Sequence, residues 1–153
     1  MTEVPDLVRT QRESYRGAIR MAQAAGAAAE AAGIGRDVVE LVNVRVSQLN
    51  GCARCLSLHV PAAQKAGVDD ARLHLLPAWR EATLYSRLER AALEIAELTT
   101  TVPAGAAERA AGVGLDAGLT EEQITAIEWI AISIGAFNRI SIMSGHDARW
   151  PED

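Results

Sequence analysis

The stretch ELVNVRVSQLNGCARCLSLHV, residues 40–60, decides how this chain folds and where its reactive groups lie. Its apolar residues recur at helical spacing, but three of its valines, at positions 42, 44 and 46, also alternate as in a strand. The Asn-Gly pair at 50–51 adds a hairpin signal. We favour a helix, because no other segment offers a partner strand and a lone strand would leave its backbone groups unpaired. Asn50-Gly51 is then a break between two helices.

The remaining patterns are helical too, so the sequence predicts an all-α, compact multi-helix fold. Asp37 could cap the second helix, with Glu40 three positions later. Pro61 predicts a kink or an early end of the third helix near Val60. Two capping boxes, SRLE (86–89) and TEEQ (120–123), mark further helix starts. Predicted helices cover 6–32, the segment after Asp37, 52–66, 69–76, 86–98, 106–112 and the segment from 120 onward.

The composition fits one folded domain over residues 1–153 and excludes some classes of partner. The chain is 49% hydrophobic and 23% charged, which is enough for a real core. Its net charge of −5 and the absence of a dense block of basic residues argue against a nucleic-acid partner, which would need a basic face. No glycine-rich phosphate loop follows a strand, so we expect no nucleotide cofactor, and we expect no cofactor of another kind.

The chain ends and apolar runs predict a cytoplasmic protein with no membrane partner. The first 16 residues are polar and lack the apolar core of a signal peptide. The longest apolar run, WIAISIGAF (129–137), is too short to span a bilayer. In a reducing compartment, a close cysteine pair indicates redox chemistry or metal binding rather than a permanent crosslink.

Both cysteines of the chain and one of its histidines fall within eight residues, at Cys52, Cys55 and His59. On a helix, spacings of three and four place all three side chains on one face. Cys52 would lie at the helix start, where free N–H groups favour a thiolate, and His59 could take a proton from Cys55. Two sulfurs at this spacing can also close a disulfide after one is oxidised. The pattern is typical of a peroxidatic or disulfide-exchange site.

Three simpler interpretations stay open at this point. Zinc would need a fourth ligand beside the two cysteines and His59, and Glu40, His74 or His146 could supply it. A structural disulfide would close a very short loop and remove little entropy from the unfolded chain. The cysteines could also be ordinary core residues. Glu40 by itself is a capping glutamate, and it gains a role only if the helix pair folds it back toward His59.

The other histidines, the Asn138-Arg139 pair and the large aromatic residues are expected to have structural rather than catalytic roles. His74 and His146 lack paired spacing and are expected at the surface. Asn138-Arg139 is expected to be a buried polar pair or an interface contact. The larger aromatic residues are expected to anchor the core or a subunit interface: Trp79, Tyr85, Trp129 and Phe137.

The pattern of Glu40, Cys52-Ala53-Arg54-Cys55 and His59 resembles the alkylhydroperoxidase D-like family, within the carboxymuconolactone decarboxylase superfamily. The resemblance covers roughly residues 15–143, including WREATLYSRLERAALEIAELTT and GLTEEQITAIEWIAISIGAFNRISI. It implies an all-α fold, a homo-oligomer (a trimer or a hexamer) and thiol peroxidase chemistry without a prosthetic group. By the same resemblance, Cys55 is the peroxidatic cysteine and Cys52 the resolving one.

The resemblance assigns His59 and Glu40 to a proton relay, a hydroperoxide as substrate, and a dithiol or protein disulfide reductant as partner. Arg54 departs from the pattern, since the best-known peroxidases of the family carry a histidine there. Arginine cannot shuttle protons, although its charge could favour a thiolate. Rival functions are a disulfide reductase without a peroxide substrate, a zinc-stabilised or purely helical interaction protein, and a lactone or keto-acid enzyme of the superfamily.

Overall fold

A computed structural model describes residues 4–149, and the regular secondary structure of this part of the chain is all helical, with no strand. It contains eight α-helices and one short 3-10 helix, which confirms the all-α prediction. The α-helices are α1 (Leu7–Thr10), α2 (Arg12–Ala31), α3 (Arg36–Asn50), α4 (Ala53–Lys65), α5 (Asp70–Leu75), α6 (Arg87–Thr101), α7 (Ala106–Asp116) and α8 (Glu121–Met143). The 3-10 helix, Leu76–Ala78, follows α5 directly.

Helix α3 lies at the centre of the fold and separates two apolar clusters. Seven consecutive residues of this helix, 38–44, are buried. Val42 and Val46 belong to a cluster shared with α2, α6 and α8, whereas Leu41 and Val44 pack on the other side against α4, α5 and α6. A helix that is buried all round carries apolar residues on every face. This is why the valines of α3 also alternate as they would in a strand, and the choice of a helix is confirmed.

Helix α8 is the second central element, and it packs against α2, α3 and α6. By length and composition alone its 23 residues could cross a membrane, a test that the core helix of a soluble protein also passes. Within the fold its buried side forms much of the main apolar cluster, through Ile124, Ile127, Ile130 and Ile134. The helix therefore serves as a wall of the core and, on one side, of the cavity described below.

Both capping boxes form as predicted. The Ser86 hydroxyl accepts from the Glu89 N–H at 3.2 Å while the Glu89 carboxylate accepts from the Ser86 N–H at 2.7 Å. Thr120 and Gln123 make the same reciprocal pair at the start of α8. These motifs depend on four adjacent residues only, so tertiary packing does not override them.

Several predicted helix boundaries are wrong. The segment 6–32 is two helices, because Gln11 leaves the helical region at φ −125° and ψ 62°. Helix α3 starts at Arg36 with Gly35 as its N-cap, so Asp37 is not the cap and lies in the first turn instead. Helix α4 continues past Pro61 to Lys65, since a proline removes one hydrogen bond of the ladder and leaves the later ones intact.

Two further helices are longer than predicted. Helix α6 runs on to Thr101 and ends where Val102 adopts a left-handed conformation, at φ 45°, directly before Pro103. Helix α7 extends to Asp116 rather than stopping at 112. Its last turns stay ordered because they contact α6 and α8, which local sequence does not report.

Trp79 is a core anchor, as predicted, and it is held by a cluster around Glu97. One oxygen of that carboxylate accepts from the Trp79 indole N–H at 2.8 Å and from Arg45 at 2.7 Å. The other oxygen accepts from Arg80 at 2.6 Å. Arg45 belongs to α3 and Glu97 to α6, so this cluster fixes the segment after α5 against the central helix.

Two glycines of α7 give a matched test of the packing between α7 and α8. A Cβ at Gly114 would collide with the Ile124 side chain, whereas one at Gly112 would meet nothing within 4 Å. We expect Gly114→Ala to lower the free energy of unfolding by about 1–3 kcal/mol, because Ile124 must move. Gly112→Ala should raise it by about 0.5–1 kcal/mol, since alanine is the better helix former. Urea unfolding followed by circular dichroism measures both, and equal effects of the same sign would contradict this packing.

Candidate active site

The α3–α4 hairpin brings the residues of the 40–60 stretch together. Gly51 ends α3 in the left-handed conformation, at φ 66° and ψ 34°, which glycine adopts without steric cost. The Cys52 N–H then donates to the Ser47 carbonyl at 3.0 Å and closes the turn. The predicted break at Asn50-Gly51 is therefore present, and it folds α4 back along α3.

Cys52 and Cys55 form a disulfide at the start of α4, with their Cα atoms 5.3 Å apart. Cys52 is the N-cap residue, and its Sγ accepts from the Cys55 N–H at 3.2 Å. Both residues are buried in the main apolar cluster. They differ in one respect, because Cys55 lines a cavity and Cys52 is not among the residues that line it.

His59 lies one helical turn after Cys55 and is bound by Glu40. Its Nδ1 is 2.7 Å from Oε2 of Glu40, whose side chain is fully buried, while the His59 side chain is 25% exposed. The hairpin thus places Glu40 beside His59 rather than at a capping position. Two contacts of Glu40 were not predicted: Asn43 donates to Oε2 at 3.3 Å, and the Arg36 guanidinium pairs with Oε1. Their spacing of three and four residues from Glu40 on one helix is the signal that could have found them.

These contacts decide the charge of Glu40. Burial raises the pKa of its carboxyl. The hydrogen bond and charge of His59, the Asn43 amide and the Arg36 charge together lower this pKa by more, so it lies below its usual value. An ionised carboxylate only accepts hydrogen bonds, and so Nδ1 of His59 must carry the proton. This orientation leaves Nε2 of His59 as the nitrogen that can accept a proton from a neighbouring group.

A cavity of about 420 Å³ opens beside Cys55 and His59. Its walls come from α1, α2, α3, α4, α8 and the segment after α8. Eight of the seventeen lining residues are apolar or aromatic: Val8, Tyr15, Ala22, Val39, Leu58, Ile130, Ile134 and Phe137. Cavities of this kind, apolar with a few convergent polar groups, are where small molecules bind in proteins.

A buried polar network fixes the end of the hairpin against α8. Asn138 is fully buried; its side-chain oxygen accepts from Asn50 at 2.9 Å and its amide donates to the Ser47 hydroxyl at 3.0 Å. Asn138 is therefore the buried member of the predicted Asn138-Arg139 pair. Arg139 is exposed and donates to the Gly135 carbonyl of its own helix.

The other singled-out residues fall in different places. His74 is exposed on α5, as expected, whereas His146 lines the cavity and lies 3.7 Å from the Asp6 carboxylate. Tyr85 is buried, and its hydroxyl donates to the Arg72 carbonyl at 2.6 Å. Phe137 lines the cavity, and Trp129 is exposed on the outer side of α8. Within residues 4–149, no group of three histidine, cysteine or acidic side chains is placed to hold a metal ion.

Glu40→Gln tests the buried ion pairing through its pH dependence. We expect the free energy of unfolding of the variant to be about 1–3 kcal/mol lower than that of the wild type at pH 7, because a charge-assisted hydrogen bond is lost. The folded-state pKa of Glu40 lies below its ordinary value of 4.5. The stabilisation is therefore complete above that value and is lost as the pH falls through the folded pKa.

The measurement is urea unfolding of both proteins between about pH 7 and about pH 3, with the gap narrowing toward the acidic end. Glu81→Gln is the control, since Glu81 is exposed and makes no ion pair with residues of the described chain. A gap that stays constant over the whole pH range would contradict an ionised Glu40 in the folded protein.

Comparison with known proteins shows the family and the fold of the chain. The model of the carboxymuconolactone decarboxylase family matches residues 13–98. The uncharacterized protein YdfG of Bacillus subtilis (strain 168) is 38% identical over 115 residues, which are 75% of this chain and 78% of that protein. A solved protein of unknown function from Agrobacterium tumefaciens, named as a candidate antioxidant defence protein AhpD, has the same fold. It superposes with a TM-score of 0.83 at 24% identity, over 99% of this chain and 100% of its own. The chain belongs to the carboxymuconolactone decarboxylase family.

Proposed function

We propose that the protein is a thiol-dependent peroxidase that reduces hydroperoxides with its cysteine pair, in the manner of the alkylhydroperoxidase D-like proteins. The observation that carries the proposal is the placement of Cys55, which lines the cavity one turn before His59 while His59 is bound to a buried carboxylate. A nucleophile, a base and a group that orients the base are the three parts of an activated thiol site.

In the first half-reaction, the reduced Cys55 gives its proton to Nε2 of His59 and attacks the outer oxygen of a hydroperoxide as a thiolate. The O–O bond breaks, Cys55 becomes a sulfenic acid, and the alkoxide leaves as an alcohol with the proton held on His59. Glu40 stabilises the imidazolium during this step through the contact at Nδ1. Cys52 then displaces hydroxide from the sulfenic acid, which leaves as water, and the disulfide forms.

In the second half-reaction, an external dithiol reduces the Cys52–Cys55 disulfide to two thiols and is itself oxidised to a disulfide. Cys55 rather than Cys52 lines the cavity, so the incoming thiolate attacks the Cys55 sulfur. Cys52 then leaves as a thiolate, which the Cys55 N–H at the helix start stabilises through the 3.2 Å contact to Sγ. A stabilised leaving thiolate speeds exchange, so the N-cap position favours Cys52 as the resolving cysteine.

The order of attack is testable with two serine variants. With one equivalent of hydroperoxide, Cys52→Ser should gain one oxygen at Cys55, because the sulfenic acid has no partner to condense with. Dimedone should trap it, as intact mass and peptide mapping would show. Cys55→Ser should gain nothing. Oxidation of Cys55→Ser at the same rate would reverse the two roles, and inert thiols in both variants would contradict peroxidase chemistry.

The proton relay predicts that His59→Gln slows peroxide-dependent oxidation on the order of 10²-fold at pH 7, the usual contribution of one positioned base. His74→Gln is the matched control, since it removes an exposed histidine from α5. Stopped-flow measurement of thiol oxidation gives both rates. Equal slowing in the two variants, or none in His59→Gln, would show that His59 is no base here.

A disulfide reductase that does not use peroxide is the second candidate, since the Cys52–Cys55 disulfide is equally the product of its reaction. It uses the same attack at Cys55, with a disulfide in place of the hydroperoxide. Rapid exchange of the reduced protein with a low-molecular-weight disulfide, together with slow reaction with every hydroperoxide tried, would select this alternative.

We further propose a cytoplasmic homo-oligomer, a trimer or a hexamer, with the outer face of α8 at a subunit contact. Trp129 and Ile132, one turn apart on this face, are 50% and 45% exposed. Large apolar side chains that are exposed side by side mark an interface, whereas a single one is normal on a protein surface.

We expect Ile132→Glu to reduce the molar mass measured by light scattering, because the contact would bury an unpaired charge. Leu115→Glu places the same charge at an exposed apolar position on α7 and should leave the mass unchanged. A wild-type protein that is monomeric at every concentration tested would contradict the proposal.

A further inference from the structure

Arg54 is a charged residue of the cavity that the proposed reaction does not use. It lies between the two cysteines, and its half-buried side chain lines the cavity with Cys55 and His59. Its guanidinium makes no ion pair and no hydrogen bond with any residue of the described chain. Arg36, the other arginine of the lining, is already paired with Glu40. Arg54 therefore keeps its charge and all its donors available to a ligand.

The rest of the lining does not offset this charge. The cavity is lined by two arginines and two histidines, and by no aspartate or glutamate of the described chain. Glu40 is fully buried behind the lining, where His59 and Arg36 already bind its two oxygens. Asp6 lies beside His146. A cavity with unpaired positive charge and low-dielectric walls concentrates anions.

The apolar walls define the remainder of the ligand. The cavity adjoins a groove of about 950 Å³ between α2 and α3, which Glu30 also lines; the two share Ala22, Gly26, Arg36, Val39 and Phe137 as lining residues. Small residues of α2 leave this groove open to an extended apolar body. A ligand that fits both parts is an apolar molecule with an anionic group near its reactive end.

We propose that the substrate is an apolar hydroperoxide that carries a carboxylate, with the carboxylate bound by Arg54 while the peroxide lies at Cys55. A guanidinium holds a carboxylate through paired N–H donors and orients it. That the substrate is a hydroperoxide rests on the proposed function. The anion subsite beside Cys55 can be tested independently of that function.

The test compares two alkylating agents of nearly equal size on the reduced Cys52→Ser protein, in which Cys55 is the one remaining cysteine. Iodoacetate carries a carboxylate and iodoacetamide is neutral; each transfers its carbon to the thiolate and releases iodide. Because both react with the same thiolate, the ratio of their rates cancels any effect of Arg54 on the acidity of Cys55. We expect Arg54→Gln to lower the iodoacetate-to-iodoacetamide ratio about fivefold, the size of one partly exposed ion pair.

Two further variants separate a local subsite from general electrostatics. Arg54→Lys keeps the charge and should retain most of the ratio. Lys65→Gln removes one positive charge from the exposed end of the same helix and should leave the ratio unchanged. An unchanged ratio in Arg54→Gln, or an equal fall in Lys65→Gln, would overturn the anion subsite.

A second assay distinguishes this inference from the proposed function. Wild type and Arg54→Gln are given a hydroperoxy fatty acid and its methyl ester, and peroxide consumption is followed with an excess of dithiol. We expect the acid to be preferred by wild type and the preference to fall in the variant. Turnover of both compounds without preference would overturn the carboxylate substrate alone, and no turnover with an Arg54-dependent alkylation ratio would overturn the peroxidase function while the anion subsite stands.

Discussion

The hydrogen bond between His59 and the buried Glu40 is the contact on which the site depends. A buried carboxylate is costly unless it is paired, and here the hydrogen bond of His59 and the charge of Arg36 come from the two helices of the hairpin. Arg36 and Asn43 belong to α3 with Glu40, while His59 belongs to α4. The acid keeps its charge while it is buried because His59 of α4 binds it, so the packing of α4 along α3 and the charge of the site depend on each other.

The rest of the molecule holds this hairpin in place. Asn138 of α8 binds both Ser47 and Asn50, so the turn before Cys52 is fixed from outside the hairpin. On the other side of α3, Arg45 and the Glu97 cluster fix the segment between α5 and α6. The cavity lies between α2, the α3–α4 hairpin and α8. Its cysteine, Cys55, comes from α4, and its apolar walls come from helices far apart in sequence.

Local features of the fold could be predicted from sequence, and long-range ones could not. The two capping boxes and the turn at Gly51 depend on neighbouring residues, so they were predictable. Asp37 as a cap and an early end of the third helix near Val60 were wrong, because α3 begins one residue before Asp37 and the helix accommodates the proline at position 61.

The same division holds for the site. The spacing of Cys52, Cys55 and His59 placed them on one face of a helix, and the family resemblance supplied Glu40. No spacing rule could join Asn138 to Ser47 over 91 residues, or place Phe137 and His146 beside Cys55. Arg54 stood out in the sequence only as a departure from the family pattern, and its lack of a partner is visible only in three dimensions.

The central claim is that Cys52 and Cys55 are a redox pair that a hydroperoxide closes. The most direct measurement is a thiol count with intact mass on fully reduced, metal-analysed wild-type protein, before and after one equivalent of hydroperoxide. The account predicts the loss of both thiols and of two hydrogens in mass, with water as the other product. Two thiols that survive the peroxide, with or without stoichiometric zinc, would contradict it.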